Sequence, residues 1–508
     1  MSLVGAGPGD PGLITVRGLQ LLRRADVVVH DALVSEALLV LARPEARRID
    51  VGKRGGAKQV AQQQINDLLL LEARRGFRVV RLKGGDPYLF GRGAEEASSL
   101  GRHGVGVEVV PGVTAGLAAA VTAGIPLTHR EHAGCVALVT GHEDPAGARP
   151  AVEPAALAAL VRGGGTVCYY MAVARLAALV EALKGEGLPG DTPVGIVESA
   201  TLPEQRVVRS TLARASVDAR DRSVRSPAVV VIGDVASIDD PGLQWFSRRP
   251  LSGRRVVVTR SRSQGSRLSR RFARLGATVL EASTIAIDPV PDTTAVDGAL
   301  DQIGDFDWIT LSSVNGVAAL EQGLKRCGRD ARALAGLKVA AVGRATARAL
   351  RGRLGIRADL VPKTFHAEAL AHAMIDAGIK GKRVMLLRAD LARPTLARLL
   401  RAAAATVQEL VVYQTRRAEN LPEALLDALR GGRIDWVTFA SSTTAKNMIE
   451  LLGPDAALLA DVKLASIGNV TSRTIRELGF EPEVEADPQN MAGLVRGIVQ
   501  WENGRGDV

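Results

Sequence analysis

The 508-residue chain is poor in cysteine and lacks long apolar runs. Its three cysteines, Cys135, Cys168 and Cys327, lie far apart and form no CxxC pair, which excludes a disulfide framework and a cysteine-based metal site. No uncharged run approaches the length of a membrane span, and no basic segment with an apolar core opens the chain. We therefore expect a cytoplasmic protein that is neither exported nor inserted in a membrane.

Aromatic residues are also scarce, at 3% of the chain, which leaves few platforms on which single-stranded nucleic acid could stack. The net charge of +11, from 65 Lys and Arg against 54 Asp and Glu, suits nucleic acid or a small ligand with many carboxylates. No recognisable nucleic-acid-binding module is present. The sequence therefore favours the small, polyanionic ligand and predicts no nucleic-acid partner.

The chain is too long for one hydrophobic core, so we expect two to four domains. Over residues 1–110 apolar runs alternate with amphipathic segments, which predicts a mostly parallel α/β sheet, and residues 114–235 contain strands of their own. Pro, Gly, Ser and charged residues break this pattern over 236–253. We place an interdomain linker there, at 247–251.

The second half of the chain repeats itself. Three segments recur after 128 residues and a fourth after 125: 253–260 matches 381–388, 275–281 matches 403–409, 306–317 matches 434–445, and 338–350 matches 463–475. The repeat predicts a duplicated α/β unit, whose strand-end loops are rich in Ser, Thr and Gly. Such loops are expected where two lobes face a shared cleft.

Two glycine-rich loops in the first half each follow a strand-like run. In GAGPGDPG the pair Gly5-x-Gly7, with Asp31 further on, partly fits a dinucleotide fingerprint, but Asp10 stands where the third glycine is required. No Gly-Lys-Ser/Thr follows, which excludes a P-loop. In RLKGGDPYLFGRG two glycines allow close backbone approach, and Asp86 can accept hydrogen bonds from hydroxyl or amino groups. Together the loops suit S-adenosylmethionine better than NAD or ATP.

Several histidines cluster in the sequence near Cys135. The spacing of His129, His132, Cys135 and His142 matches no standard zinc pattern, and Cys135 opens a strand that we expect to be buried. We interpret these histidines as structural or substrate-facing, and we expect no metal site.

Nine motifs of the first half resemble the tetrapyrrole methylases, and within them the uroporphyrinogen-III C-methyltransferases; in chain order they are VGAGPGDPGLIT, HDALVS, VGKRGG, RLKGGDPYLFGRGAEE, VPGVTA, GIPLTHR, VTGH, YYMA and VESATLPEQRVVRSTL. The resemblance covers about 1–246. It implies two subdomains, about 1–113 and 114–246, with a cofactor cleft between them, and methylation of uroporphyrinogen III at C2 and C7 to precorrin-2. A homodimer through this half is a further implication.

The resemblance also implies site residues. Those that would line the S-adenosylmethionine site are Pro8, Gly84, Gly85, Asp86, Leu89, Thr114, Ala115, Met171 and Ala200. Ala200 departs from the family's usual glycine, and His30 from its frequent tyrosine. By the same resemblance Asp31 is the implied proton acceptor and Lys53 the implied proton donor. Positioning supplies most of the catalysis in a methyl transfer, and such a pair would assist it. Both could equally be plain substrate-binding residues or a solvated ion pair.

The second half resembles the uroporphyrinogen-III synthases over about 252–500, through the ordered motifs VVVTR, FDWITLSSVNGV, AAVGRATA, LLRAD, VVYQT, DWVTFASSTTAKN and SIGNVTSRTIRELG. This implies cyclisation of hydroxymethylbilane with inversion of ring D. It also implies a domain over 252–508 with one lobe from 252–285 plus 417–500 and another from 288–412.

Candidate residues in this half follow from the same resemblance. The hydroxyl of Tyr413 could assist the departure of water, although a packed linker tyrosine explains it equally well. Candidate substrate contacts are Ser313, Lys363, Ser441, Ser442 and Thr471, with Arg260, Arg344 and Arg388 as further cations. The two halves together predict a bifunctional enzyme leading to sirohaem or cobalamin. The alternative is an active methyltransferase fused to a non-catalytic two-lobed module that senses a tetrapyrrole.

Overall fold

A computed structural model describes residues 1–52, 61–141, 152–259, 262–364 and 366–504, with only the backbone of 262–266. The chain forms two compact units. The first comprises Met1–Arg254 and Phe272–Thr278, and the second comprises Arg255–Arg271 and Val279–Val508. Among the described helices, none combines the length and the apolar character that crossing a bilayer requires.

The first subdomain is a wholly parallel five-stranded sheet in the order β3-β2-β4-β1-β5. Its strands are β1 (Ser2–Gly5), β2 (Val27–His30), β3 (Arg47–Asp50), β4 (Val79–Lys83) and β5 (Glu108–Val110), and its helices are α1 (Val16–Leu22), α2 (Glu36–Leu39), α3 (Gln62–Arg74) and α4 (Gly93–Arg102). In β2, Val28 packs into one core while Val27 and Val29 pack into another. Both faces are thus covered, which explains why this strand is continuously apolar.

The second subdomain contains a mixed sheet in the order β6-β7-β10-β8-β9, parallel only between β6 and β7. Its strands are β6 (Cys135–Thr140), β7 (Gly165–Tyr170), β8 (Pro193–Glu198), β9 (Arg206–Thr211) and β10 (Ala228–Ile232), and its helices are α5 (Ala115–Ala123), α6 (Pro154–Arg162), α7 (Leu176–Gly185) and α8 (Ala215–Asp221). The expectation that Cys135 is buried is wrong. Its strand lies at the edge of the sheet, and the thiol at the start of that strand is exposed.

The stretch predicted as a linker, 247–251, is packed into the first unit. Leu251 is fully buried, Phe246 is buried, and the guanidinium of Arg249 lies 3.5 Å from the centroid of the Phe246 ring. In the residues before this stretch, Pro241 and Gly242 form a short 3-10 turn rather than an extended connection. The 3-10 segments of the first unit are Pro11–Leu13, Val173–Arg175, Asp234–Ser237 and Pro241–Leu243.

The second unit contains two five-stranded sheets. Its strands are β11 (Arg255–Val258), β12 (Thr278–Glu281), β13 (Ile285–Pro289), β14 (Trp308–Leu311), β15 (Lys338–Ala341), β16 (Arg383–Ala389), β17 (Thr406–Arg417), β18 (Trp436–Phe439), β19 (Lys463–Ser466) and β20 (Val484–Glu485). Its helices are α9 (Arg262–Arg274), α10 (Thr294–Asp301), α11 (Val314–Arg326), α12 (Arg344–Leu354), α13 (Ala367–Asp376), α14 (Thr395–Ala402), α15 (Glu423–Arg430), α16 (Ser442–Leu452), α17 (Asn469–Glu477) and α18 (Met491–Asn503). Its 3-10 segments are Ile303–Asp305, Ala331–Leu334 and Gly453–Asp461.

The repeat is visible in the order of the strands. One sheet runs β12-β11-β18-β19-β20 and the other β13-β17-β16-β14-β15, so that equivalent strands occupy equivalent places. Each repeat gives two of its strands to each sheet. The first sheet contains β11 and β12 of the first repeat and β18 and β19 of the second, and the other sheet contains β14 and β15 of the first repeat and β16 and β17 of the second. The two copies therefore exchange halves. The connections pair as antiparallel strands β13 and β17, with Pro289 opposite Tyr413.

Candidate active sites in the two units

Three glycines bring three loops of the first unit together at the carboxyl edge of the parallel sheet. Gly5 ends β1, Gly85 follows β4, and Gly112 follows β5, and β1 lies between the other two strands. A Cβ on Gly112 would lie 2.2 Å from the carbonyl oxygen of Gly85, and a Cβ on Gly5 would lie 2.5 Å from Cα of Gly112. Only glycine allows these backbones to approach so closely.

The two glycine-rich loops are joined directly. The amide of Gly7 donates to the carbonyl of Gly85 at 3.2 Å, and the amide of Gly85 donates back to Gly7 at 2.8 Å. Both residues have positive φ, +76° and +67°. The two loops are therefore bound side by side at the edge of the sheet.

Asp86 shapes the second loop. Its carboxylate accepts hydrogen bonds from the amides of Tyr88 at 2.8 Å, Leu89 at 3.2 Å and Gly112 at 3.0 Å. The sequence offered this carboxylate to ligand hydroxyls. These hydrogen bonds fix Asp86 relative to its own loop and to the loop that precedes α5.

The first loop also contacts the second subdomain. The amide of Asp10 donates to Oγ1 of Thr201 at 3.0 Å, and Gly9 packs so closely against Leu202 that a Cβ there would lie 2.9 Å from it. The Asp10 carboxylate accepts from the amide of Gly12 at 2.7 Å and caps the following turn. Pro8 and Ala200 thus lie in adjoining loops of two subdomains.

Tyr170 is not among the residues predicted from the sequence, yet it contacts residues of both subdomains. Its hydroxyl lies 2.8 Å from Oγ1 of Thr114 and accepts from the amide of Gly116 at 2.9 Å, while its ring is 5.0 Å from that of Phe90. Burial is the largest cause of the raised pKa of Tyr170, which keeps the phenol protonated. Tyr170 lies in the YYMA motif, but an apolar run in a strand is typical of buried core residues, so the sequence did not indicate the role of its hydroxyl.

The structure brings the predicted cofactor residues to the place where loops of the two subdomains meet, and we call this junction the crevice. Leu89, Ala115 and Ala200 pack against the hydrophobic cluster that includes Tyr170. Gly84 and Gly85 are half-exposed, and a Cβ on Gly85 would meet nothing closer than 3.8 Å, so bare peptide lines the opening. Met171 follows Tyr170 with φ +56° and a half-exposed side chain. Peptide, thioether and aliphatic groups of this kind fit an adenosyl sulfonium compound.

Asp31 follows β2 at the same edge of the sheet. Its carboxylate accepts from Nη2 of Arg81, a buried residue of β4. Leu33, two residues on, lies against Gly84, since a Cβ on that glycine would be 3.3 Å from Cβ of Leu33. Lys53 lies outside the described residues, although Gly52 before it packs against Ala32.

Of the four residues that cluster in the sequence, the structure brings His129 and His132 together, with Glu131 beside them. Ligand atoms of His129, Glu131 and His132 lie within 4.8 Å of one another, and Nδ1 of His129 accepts from the amide of Glu131 at 3.3 Å. That bond occupies one imidazole nitrogen. Cys135 is not in the group, and His142 lies outside the described residues.

In the second unit, corresponding serines cap corresponding helices. Oγ of Ser313 accepts from the amide of Gly316 at 2.9 Å at the start of α11, and Oγ of Ser441 accepts from the amide of Thr444 at 3.3 Å at the start of α16. Each serine follows a central parallel strand. Helix N-termini placed in this way present N–H groups that anions can bind.

Tyr413 departs from this symmetry. Its hydroxyl donates to Oγ of Ser313 at 2.9 Å, so the two predicted residues touch. Tyr413 lies where β17 leaves its parallel neighbour and pairs with β13, and it borders a cavity of about 190 Å³ against α11. An Ile, Ile285, occupies the position 128 residues earlier.

The other predicted residues of this unit are more dispersed. Oγ of Ser442 donates to the carbonyl of Val470 at 3.2 Å, while the nearby Thr471 is buried. Lys363 is exposed in the loop that precedes α13. The guanidinium of Arg388 binds Glu409 at 3.0 Å within the same sheet, so it faces its own lobe. Arg260 lies outside the described residues.

Family models match both units. Residues 1–216 match the tetrapyrrole (corrin/porphyrin) methylases, and residues 266–496 match uroporphyrinogen-III synthase HemD. A crystal structure of uroporphyrin-III C-methyl transferase from Thermus thermophilus, complexed with S-adenyl homocysteine, is 39% identical, covers 46% of this chain and 92% of that chain, and has a TM-score of 0.39.

Relatives in sequence differ in how much of the chain they match. Siroheme synthase 3 of Aeromonas hydrophila is 48% identical over 246 residues, 48% of this chain and 51% of that protein. The chain thus spans about half the length of that relative. The porphyrin biosynthesis protein HemD of Ruminiclostridium josui is 34% identical over 484 residues, 94% of this chain and 93% of that protein. The chain therefore belongs to the family of this HemD protein, with a tetrapyrrole methylase domain ahead of a uroporphyrinogen-III synthase domain.

Proposed function

We propose that the chain carries out two successive reactions on a tetrapyrrole. The second unit would cyclise hydroxymethylbilane to uroporphyrinogen III with inversion of ring D, and the first unit would methylate that product at C2 and C7 to give precorrin-2. The observation that carries the proposal is the crevice of the first unit, where loops from both subdomains meet around Tyr170.

S-adenosylmethionine, when bound, supplies a methyl group already activated on a sulfonium. The residues of the crevice then have three tasks. The loops at Gly84 and Gly85 would hold the adenosyl part, the exposed Met171 side chain would pack against it, and the crevice would hold the ring carbon of the substrate in reach of the methyl group.

Methylation leaves a positive charge on the macrocycle, which is removed when a proton departs. Asp31 is the group that we assign to accept it, because its carboxylate is about one-third exposed beside the Gly84 loop. Lys53 is assigned as a proton donor or as a contact for a substrate carboxylate. The substrate's eight carboxylates also account for the positive net charge of the chain.

In the second unit the substrate's hydroxymethyl group must leave as water. We assign Tyr413 to donate to the departing oxygen, with Ser313 beside it to hold the phenol in place. The C–O bond breaks, a stabilised carbocation forms, and the substituted carbon of ring D attacks it. The older bond from that carbon to its bridging carbon then breaks and forms again at the other α carbon of ring D, which loses its proton. Helix N-termini at Ser313 and Ser441, with Ser442 and Lys363, would receive substrate carboxylates.

One experiment tests both assignments. The purified chain is given hydroxymethylbilane with and without S-adenosylmethionine, and the products are separated by chromatography. We expect type III uroporphyrinogen in both samples and its dimethylated product only with the methyl donor. Type I macrocycle alone would leave the second unit as a binding module, whereas unmethylated type III product would contradict the role of the first unit. Size-exclusion chromatography with light scattering tests the proposed homodimer.

A further inference from the structure

A chain of buried charges lies beneath Asp31. Arg81 and Lys83 alternate on β4, and both bind Glu96 of α4: Nε of Arg81 is 3.3 Å from Oε2, and Nζ of Lys83 is 2.9 Å from Oε1. Nε2 of Gln62 also reaches Oε1, at 3.2 Å. The exposed fractions of Arg81, Lys83 and Glu96 are 1%, 3% and 0%.

The charges of this network balance only if Asp31 is counted. Arg81 and Lys83 bring two positive charges, and Glu96 brings one negative charge, all away from water. The second negative charge is Asp31, which Arg81 binds through Nη2 and which is the only member with substantial exposure. The network thus begins in the core and ends at the crevice.

Stability alone does not explain such an arrangement. Removing charges from water is costly, and well-packed apolar side chains of similar volume are often as stabilising as a buried ion pair. What the network does provide is a fixed direction for Arg81. Its planar, fork-shaped guanidinium donates to Glu96 through Nε and to Asp31 through Nη2, whereas an ammonium group would have to reach both carboxylates from one nitrogen.

The strand that carries Arg81 also carries the second glycine loop. β4 ends at Lys83, and Gly84 and Gly85 follow at once. The backbone of Asp31 is tied to the same strand, since its amide donates to the carbonyl of Leu82 at 3.4 Å. The carboxylate and the loop assigned to the methyl donor therefore share one rigid support.

We infer that Arg81 is the positioning residue that fixes the Asp31 carboxylate relative to the methyl donor, through the buried Arg81–Glu96–Lys83 network. The inference rests on the proposed methylation by the first unit. Arg81 does not touch the substrate in this role. It positions the carboxylate of Asp31, the proton acceptor, and Glu96 positions the guanidinium of Arg81.

The test uses the full chain with uroporphyrinogen III and S-adenosylmethionine, and it compares two substitutions of similar kind. Arg81→Met and Lys83→Met each remove one buried cation from Glu96, but only the first releases Asp31. Arg81→Lys keeps the charge and loses the fork, and so covers the case in which Arg81→Met does not fold. Turnover, KM for uroporphyrinogen III, the Kd of S-adenosylhomocysteine and the unfolding midpoint are measured for each.

We expect Arg81→Lys to lower kcat about 10- to 100-fold, because small misplacements of a reacting group have effects of this size. KM and the Kd of S-adenosylhomocysteine should stay within about twofold, and a crystal structure should show the Asp31 carboxylate displaced. Wild-type turnover in Arg81→Lys would overturn the inference, as would equal losses in folded Arg81→Met and Lys83→Met. If the wild type itself forms no methylated product, the proposed function fails first, and this inference fails with it.

Discussion

The two units build their sites in different ways. In the first unit two unlike subdomains, one with a parallel sheet and one with a mixed sheet, meet at a crevice, and each residue there occurs once. In the second unit two copies of one α/β design supply matching strand ends and matching capped helices. A site of the first kind depends on close contacts that occur once. In a site of the second kind the strand ends and capping serines occur twice, so its specificity must come from the positions where the two copies differ.

The largest effect that would sharpen this comparison is expected at Gly112. In Gly112→Ala the added Cβ meets the backbone of Gly85 at 2.2 Å and of Gly5 at 2.8 Å, and the three loops must separate. We expect binding of S-adenosylhomocysteine, measured by calorimetry, to be lost, while the second unit still forms uroporphyrinogen III. Gly101→Ala in α4, where nothing lies within 4 Å of the new Cβ, serves as the control. Undiminished binding in Gly112→Ala would contradict the packing described.

Tyr413 is a position where the two copies differ, since Ile285 is the residue 128 positions earlier. Tyr413→Phe keeps the ring and removes the hydroxyl that donates to Ser313. If the phenol assists the departure of water, kcat for hydroxymethylbilane should fall by about 10²-fold, the usual contribution of a positioned acid. Methylation of added uroporphyrinogen III is the internal control. A change confined to KM would instead indicate a binding role.

Tyr170 tests how far the first unit depends on one contact. Tyr170→Phe removes the partner of Thr114 and of the amide of Gly116, and leaves both buried without it. The unfolding free energy should fall by about 1–3 kcal/mol. S-adenosylhomocysteine should bind more weakly, because the start of α5 is released. Tyr88→Phe, at a tyrosine that is 56% exposed, should change neither the denaturation midpoint nor the binding.

The two capping serines compare the copies directly. Ser313→Ala and Ser441→Ala each remove one helix cap and should each lower the unfolding free energy of the second unit by about 1 kcal/mol. Only Ser313 touches Tyr413, so only Ser313→Ala should also lower kcat of the cyclisation severalfold. Equal activities in the two variants would remove the distinction between the copies.

The smallest effect distinguishes two thiols of one sheet. Cys135 is exposed at the edge strand, whereas burial raises the pKa of Cys168 to about 12 and keeps its thiol protonated up to that pH. In the native chain at pH 8, a disulfide reagent should label Cys135 within minutes and spare Cys168. Mass spectrometry of the peptides identifies the labelled residue. Labelling of Cys168 without denaturant would show that the sheet opens.

Regular patterns in the sequence predicted the α/β fold because each pattern is local. Continuous apolar runs in β2 and β4 indicate strands covered on both faces, and the repeat indicates equivalent strands before any contact is known. The side-chain contacts of the sites were beyond such reasoning. Arg81 and Lys83 read as charges on a strand and are buried against Glu96, which lies on a helix. That pairing exists only once helix and sheet have packed.

Errors in the sequence reading have the same cause. Cys135 was assigned to the core because its strand is apolar, and only the order of the strands shows that it lies at an edge. The role of Asp86 at the cofactor site stays a prediction, and only the folded loop shows that three backbone amides donate to its carboxylate. For both residues the sequence lacked the neighbours that decide the environment of the side chain.

The exchange of halves between the two repeats makes the second unit an intramolecular domain swap. Cutting the chain at the turn between α13 and β16 would separate the repeats, yet each fragment would hold two strands of one sheet and three of the other, and could complete neither. The fragments would have to clasp each other as a strand-exchanged heterodimer. In synthesis the sheet that contains β16 and β17 can therefore close once Arg417 has left the ribosome, whereas the sheet that contains β11 and β12 must wait for β20.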